Sequence, residues 1–146
     1  MFNSLLIYII GLIVGLGAVT VIDLHGFLGR KSKYWTLATT RTHKVTKPLI
    51  WIGTILSIVG GTIFYSAVDI KLMYLHISIF SVLILNGLFL TFGVSRFLLQ
   101  RERYGDDSEL LPKKWQTKII FSFIFSFAGW WTSVYLLVLT ISNLIK

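Results

Sequence analysis

Cysteine is missing from this chain. That excludes a disulfide framework, a thiolate metal site and a cysteine nucleophile. Acidic side chains are scarce, six against fourteen Lys and Arg. Charged residues of both signs make up only 14%, where a soluble domain carries about 25%. The missing charge is not evenly thinned. Residues 1–22, 48–68, 72–95 and 119–145 contain no Asp, Glu, Lys or Arg at all. Familiar catalytic signatures are missing as well: there is no Walker A loop, HExxH, CxxC or GxSxG elbow. No two carboxylates share the apolar stretches, which disfavours intramembrane aspartyl proteolysis. Catalysis of any familiar type therefore has weak support in these residues, which lean away from an enzyme without excluding one.

What fills the gaps is hydrophobic: 55% of the 146 residues, with aromatic residues making up 15% of the whole chain and a mean hydropathy of +0.77. A helix rises about 1.5 Å per residue and the hydrocarbon core is about 30 Å thick, so roughly 20 apolar residues cross it. All four uncharged stretches meet that length. The expected fold is all-α, an up-down bundle of four transmembrane helices. It forms a single integral membrane domain over 1–146, with spans near 3–28, 47–68, 72–98 and 115–144. The last span exceeds the membrane thickness and is expected to tilt or project. The N-terminus has no basic region ahead of its apolar run and no small-residue cleavage site after it, so the first helix is expected to be kept as an anchor.

Orientation follows from the basic residues. Arg30, Lys31, Lys33, Arg41, Lys44 and Lys47 follow the first span; Arg96, Arg101, Arg103, Lys113, Lys114 and Lys118 follow the third. Only Lys71 and Lys146 lie on the other side. This bias places both basic segments, expected to be long loops, in the cytoplasm and both termini outside. It locates the protein in the cell membrane, the inner one in a Gram-negative cell. A net charge of +8 is thereby explained by topology and lipid headgroups, without nucleic acid. Thr46 and Pro48 read as the cap and first-turn proline of span two, and Pro112 opens span four. Trp35, Trp51 and Trp115 fall near the inner boundary. The stretch 104–108 is the most turn-like of the chain.

Lipid gives helices no hydrophobic reason to associate, so small residues and polar contacts must hold them together. Gly11 and Gly15, then Gly53, Ser57 and Gly60-Gly61, then Ser122, Ser126, Gly129 and Ser133 mark the expected contact faces. Gly60-Gly61 also offers a place where span two loosens.

Ionisable groups inside a bilayer are costly and suggest function. Asp23 closes span one toward the cytoplasmic end and shares a helix face with Thr20, Gly26 and Phe27. Its expected partner is Lys47, as an interfacial ion pair or as part of a proton or cation relay. Asn86, the single Asn within a span core, is expected to bond Asp23, Thr54 or a backbone carbonyl across the bundle. Asp23, Lys47, Asn86, Thr20 and Trp51 are therefore the candidate ion or solute site. His25 and His43 share the cytoplasmic side and are the candidate metal or haem ligands. His76 stands apart near the outer end, where Tyr65 and Tyr74 are expected beside it. Trp130-Trp131 lies too deep for an interfacial belt, so at least one indole should meet a partner inside.

The run from Gly15 through Gly17 to Asp23 resembles the first helix of small four-helix bacterial membrane proteins of unassigned function. Trp51, Gly60-Gly61, Asn86-Gly87 and Trp130-Trp131 follow in the same order as in those proteins. The resemblance covers most of the chain through short motifs, implies the same membrane fold and brings no activity with it. A more distant likeness is to membrane domains of the copper-resistance D type and to b-type cytochromes. That likeness implies haem b or a metal, although the paired histidines at matching depth are not present. Three functions follow: an ion- or small-solute-handling protein with its polar site at the cytoplasmic end, a haem- or metal-binding redox module, or an assembly subunit. The partners expected are the lipid bilayer and a second copy or another membrane protein.

Overall fold

A computed structural model describes residues 1–107 and 109–145. Ser108, in the turn-like stretch, and Lys146, one of the two basic residues opposite the clusters, lie outside the described residues. Helix is the only regular structure among the described residues: α1 (Phe2–Gly29), α2 (Lys33–Val68), α3 (Ile70–Phe89), a π-helical turn (Leu90–Val94), α4 (Ser95–Arg103) and α5 (Lys113–Ile145). The π turn and α4 continue α3 without a break, giving one rod over Ile70–Arg103. Four helices are thus long and apolar enough to cross a membrane.

The connections force an up-down arrangement. Residues 30–32 join α1 to α2 and Asp69 alone joins α2 to α3. Asp69 is extended (φ −157°, ψ 122°) and its carboxylate accepts from Lys71 N at 2.8 Å, capping α3. Each helix touches two neighbours, in the order α5–α1–α2–α3–α5, which closes the bundle.

The first basic segment is not the loop expected ahead of span two. Helix α2 begins at Lys33 behind Ser32, Thr46 is interior rather than a cap, and Pro48 sits inside the helix. The reason is the threonines. Thr36, Thr39, Thr40 and Thr46 are buried, and each hydroxyl donates to a carbonyl one turn back, as in Thr39 to Trp35 O at 2.7 Å. Their polar atoms are satisfied along the helix, so the face packs like an apolar one. The close partner is Gly29, whose carbonyl accepts from Thr36 Oγ1 at 2.8 Å.

Along the rest of their length α1 and α2 approach backbone to backbone. A Cβ on Gly11 would lie 2.5 Å from Ser57 N, and one on Gly60 would lie 2.5 Å from Tyr8 N and 2.8 Å from Ser4 O. Gly15 is filled by the ring of Trp130 and Gly61 by that of His76. The small residues therefore face inward as expected, and Gly60-Gly61 is a packing site in an unbroken helix. Gly17 alone among the glycines of α1 has open space around it. On α5, Ser122, Ser126 and Ser133 are buried on one face. The core above this seam consists of Tyr8, Leu12, Phe64, Tyr65, Phe80, Leu83 and Trp130.

A smaller core of Val94, Leu98 and Leu111 closes the basic end. There Phe97 and Trp115 stack 4.2 Å apart. Arg101 Nη2 donates to the carbonyls of Asp106 (2.7 Å) and Glu109 (2.9 Å), tying both residues to α4. Gly105 turns this connection with φ +77°, the left-handed region open to glycine.

Candidate functional site

Between the close seam and the basic end, the bundle opens into a cavity of about 80 Å³. Helix α1 contributes Asp23, with the buried Gly26 one turn further on. Helix α2 contributes Thr39, His43, Lys47 and Trp51, spaced by four residues and hence in one stripe. That stripe exists because α2 starts at Lys33; a loop over 30–47 would not have aligned these side chains.

The π turn supplies the opposite wall through Leu90, Thr91 and Val94. Its widened bond, from Ser95 N to Leu90 O, adds a residue to the turn. Such turns recur at functional sites because the inserted residue re-aims its neighbours. Here Thr91 Oγ1 receives Trp51 Nε1 at 3.2 Å. Trp51 is thus a donor across to the facing helix.

A second cavity of about 30 Å³ continues from the first. Asp23 and Trp51 border both, and the second reaches Thr54, Asn86, Ser126 and Trp130. Asn86 clasps α3 to α5: Nδ2 donates to Ser122 O at 3.0 Å and Oδ1 accepts from Ser122 Oγ at 2.7 Å. Of its expected partners, the backbone carbonyl is the one it takes.

Opposite charges meet here without pairing. Asp23 Oδ2 is buried and has no hydrogen-bond partner, and neither has His43 Nε2. Lys47, the expected partner of Asp23, instead reaches Ser95 Oγ at 3.5 Å. Among the described residues the ion pairs are Lys33–Glu109 (2.8 Å) and Lys44–Glu102 (2.6 Å), both between α2 and the α4 side. The expected Asp23–Lys47 pair is therefore corrected to two opposite charges lining one cavity. A carboxylate oxygen without a donor, beside room for several waters, is an arrangement that accepts a proton or a small cation.

Two of the sequence candidates fall elsewhere. Thr20 is exposed and donates to Leu16 O at 2.7 Å, so its hydroxyl serves its own helix. His25 packs on Trp35, ring centroids 5.1 Å apart, and does not border the cavity that His43 lines. The structure brings Asp23, His43, Lys47 and Trp51 to one cavity and Asn86 to its continuation. Thr39 and Thr91 were missed. A lone Thr in an apolar run was the available signal for Thr91.

At the other end His76 is fully buried beside Tyr65 (centroids 5.2 Å). Tyr74, expected with them, is exposed, and Tyr8 of α1 takes that place at 5.1 Å from His76.

No family model, no characterised protein and no solved structure matches this chain.

Proposed function

We propose that this chain is a multi-pass protein of the cell membrane, both termini outside, that binds a small cation at Asp23 near the cytoplasmic end of the bundle. One observation carries the reading: the Asp23 carboxylate borders a cavity inside four apolar helices while its Oδ2 has no donor. Keeping an acid there is costly unless it meets a cation or a proton. Trp51, Thr91 and Asn86 shape the cavity and its continuation. Lys47 and His43 line the side nearer the basic end, where the Lys47 charge regulates how a cation reaches Asp23.

Neither alternative gains a comparable observation. As haem or metal ligands, His25 and His43 would have to converge, and they belong to different surroundings. An assembly subunit would present its small-residue faces outward, and Gly11, Gly15, Gly53, Gly60 and Gly61 are consumed inside the bundle.

The test is infrared difference spectroscopy on the protein in lipid films. The carboxyl band lost in Asp23→Asn is followed as sodium replaces choline and as pH is raised through neutrality. The expected result is a band that shifts or loses intensity with one or both. A band indifferent to both would overturn the reading.

A further inference from the structure

The cavity bordered by Asp23 offers a guest few oxygens and much hydrocarbon. Ile22, Ile50, Leu90, Val94, Leu98 and Ile119 line it, and its side-chain oxygens belong to Asp23, Thr39 and Thr91. A hard metal cation takes about six oxygen ligands or more, which this wall does not supply. Two buried acceptors border the space without a donor, Asp23 Oδ2 from α1 and His43 Nε2 from α2. A carboxylate only accepts, and an imidazole in its Nδ1–H form carries a lone pair on Nε2. An ammonium group brings three donors and no acceptor, so it answers both. Lys47 does not fill that place, because its own ammonium turns to Ser95 Oγ.

Both ends of this space are packed. Trp130, 1% exposed, closes the continuation on one side, and Val94, Leu98 and Leu111 pack together at the basic end. Asp23 also borders a crevice of about 10 Å³ between α1 and α5. The rim there is apolar: Phe27, half exposed, with Ile120 and Phe123, both partly exposed. Gly26 borders crevice and cavity alike, and a Cβ on it would meet only Ile119 Cγ2, at 3.6 Å. In a bilayer this side meets acyl chains, and side chains at a surface turn quickly without any backbone movement. An uncharged apolar molecule therefore has a path from lipid to the carboxylate that a hydrated ion lacks.

We propose that the cation bound at Asp23 is a small alkylammonium, and that its amine reaches the site from the inner leaflet through the α1–α5 crevice. This deepens the cation reading above and rests on it. An apolar cavity of about 150 Å³ takes benzene, so about 80 Å³ takes a body of roughly three or four carbons. The amine crosses the lipid uncharged. At the site the carboxyl O–H of Asp23 breaks as an N–H bond forms on the amine, leaving carboxylate and ammonium as a pair. His43 Nε2 accepts a second N–H, and the isoleucine and leucine side chains cover the alkyl body. Leaving reverses the transfer: the proton returns to Asp23 and the neutral amine goes back to the lipid.

The test uses the full chain in lipid films at fixed pH, with the infrared band lost in Asp23→Asn followed during perfusion. n-Butylamine should move the band at a concentration at least about tenfold below that needed with sodium chloride. From methylamine to butylamine the half-saturating concentration should fall about three- to fourfold per methylene. It should stop falling at hexylamine, whose body exceeds the cavity. n-Butanol, which enters the film without an amine, should leave the band unmoved. In Gly26→Leu the Cβ finds room while the rest of the side chain obstructs the crevice. That variant should keep the band and respond to butylamine several-fold more slowly. Sodium acting at or below the butylamine concentration, or no gain between methylamine and butylamine, would overturn the alkylammonium assignment and leave the cation site standing. A Gly26→Leu film that responds as fast as the wild type would overturn the entry route. A band indifferent to amines, sodium and pH alike would overturn both this proposal and the cation reading beneath it.

Discussion

From Trp130 to the end away from the basic clusters, side chains as large as Trp130, Tyr8, Phe64, Tyr65 and Phe80 are at most 1% exposed. Toward the basic end the same four helices leave about 80 Å³ empty around Asp23, His43 and Lys47. The difference starts in the sequence. Where small residues occur at steps of three to four, Gly11 and Gly15 on α1 and Gly53, Ser57 and Gly60 on α2, backbones touch and aromatic rings from α3 and α5 fill what remains. Past Gly15 and Gly53 that pattern lapses, and Trp51, Leu90 and Ile119 hold the helices apart instead. One half of the bundle is close-packed and the other encloses a cavity.

The sharpest way to break this contrast is a side chain at the tight seam. In Gly60→Leu the new Cβ would press on the backbone of Tyr8 and Ser4, which cannot rotate away. A loss of about 3 kcal/mol or more is expected, at or beyond the upper end of overpacking. Gly17→Leu, made where nothing lies near, should stay within about 0.5 kcal/mol. Midpoints of unfolding in mixed detergent–SDS titrations would report both. Equal midpoints would mean that the seam is not what holds α1 to α2.

Much of this contrast can be read from the sequence, and some cannot. The four apolar stretches and the inward glycines are legible, because membrane length and close packing act on local residue types. The helical start at Lys33 is not. Five threonines and a following proline lower helix propensity, and only the burial of the threonine face against Gly29 and the neighbouring helices repays it. The π turn is equally hidden, since Leu90–Val94 has no residue that demands it. As a result His43 was assigned to a loop and Thr91 went unnoticed, while Asp23 and Trp51 were marked by charge and ring in an apolar run. Lys47 was given to Asp23 on level alone; its actual direction depends on Ser95 of α4, which level does not specify.

An intermediate effect is expected at the clasp between the halves. Asn86→Ala removes both bonds to Ser122 and should destabilise the bundle by about 1 kcal/mol, the ordinary range for polar contacts between membrane helices. Ser122→Ala removes one of the two and should lose less. A null result for Asn86→Ala would place the α3–α5 contact in apolar packing, Leu83 against Gly129 and Phe80 against Trp130.

Smaller again are the ion pairs beyond the cavity. Lys44–Glu102 and Lys33–Glu109 are each well exposed on at least one side chain. Glu102→Gln and Glu109→Gln should each shift the midpoint by about 0–1 kcal/mol, and the shift should fade with added salt. A large, salt-independent loss would show the basic end to be as tightly built as the seam.

The smallest change in stability is expected at Asp23 itself, and it bears most on the contrast. Removing one member of a buried ion pair strands the other and costs several kcal/mol. Asp23 has no such partner: Lys47 turns to Ser95, and Oδ2 accepts nothing. Asp23→Asn therefore strands no cation and exchanges a costly carboxylate for a neutral amide of nearly the same size. The unfolding midpoint should move by less than about 0.5 kcal/mol, with stabilisation the favoured sign. The same variant should lose the cation-sensitive infrared band completely. A marked destabilisation would instead reveal Asp23 as a structural group, and would fold the inner cavity into the same packing logic as the glycine seam.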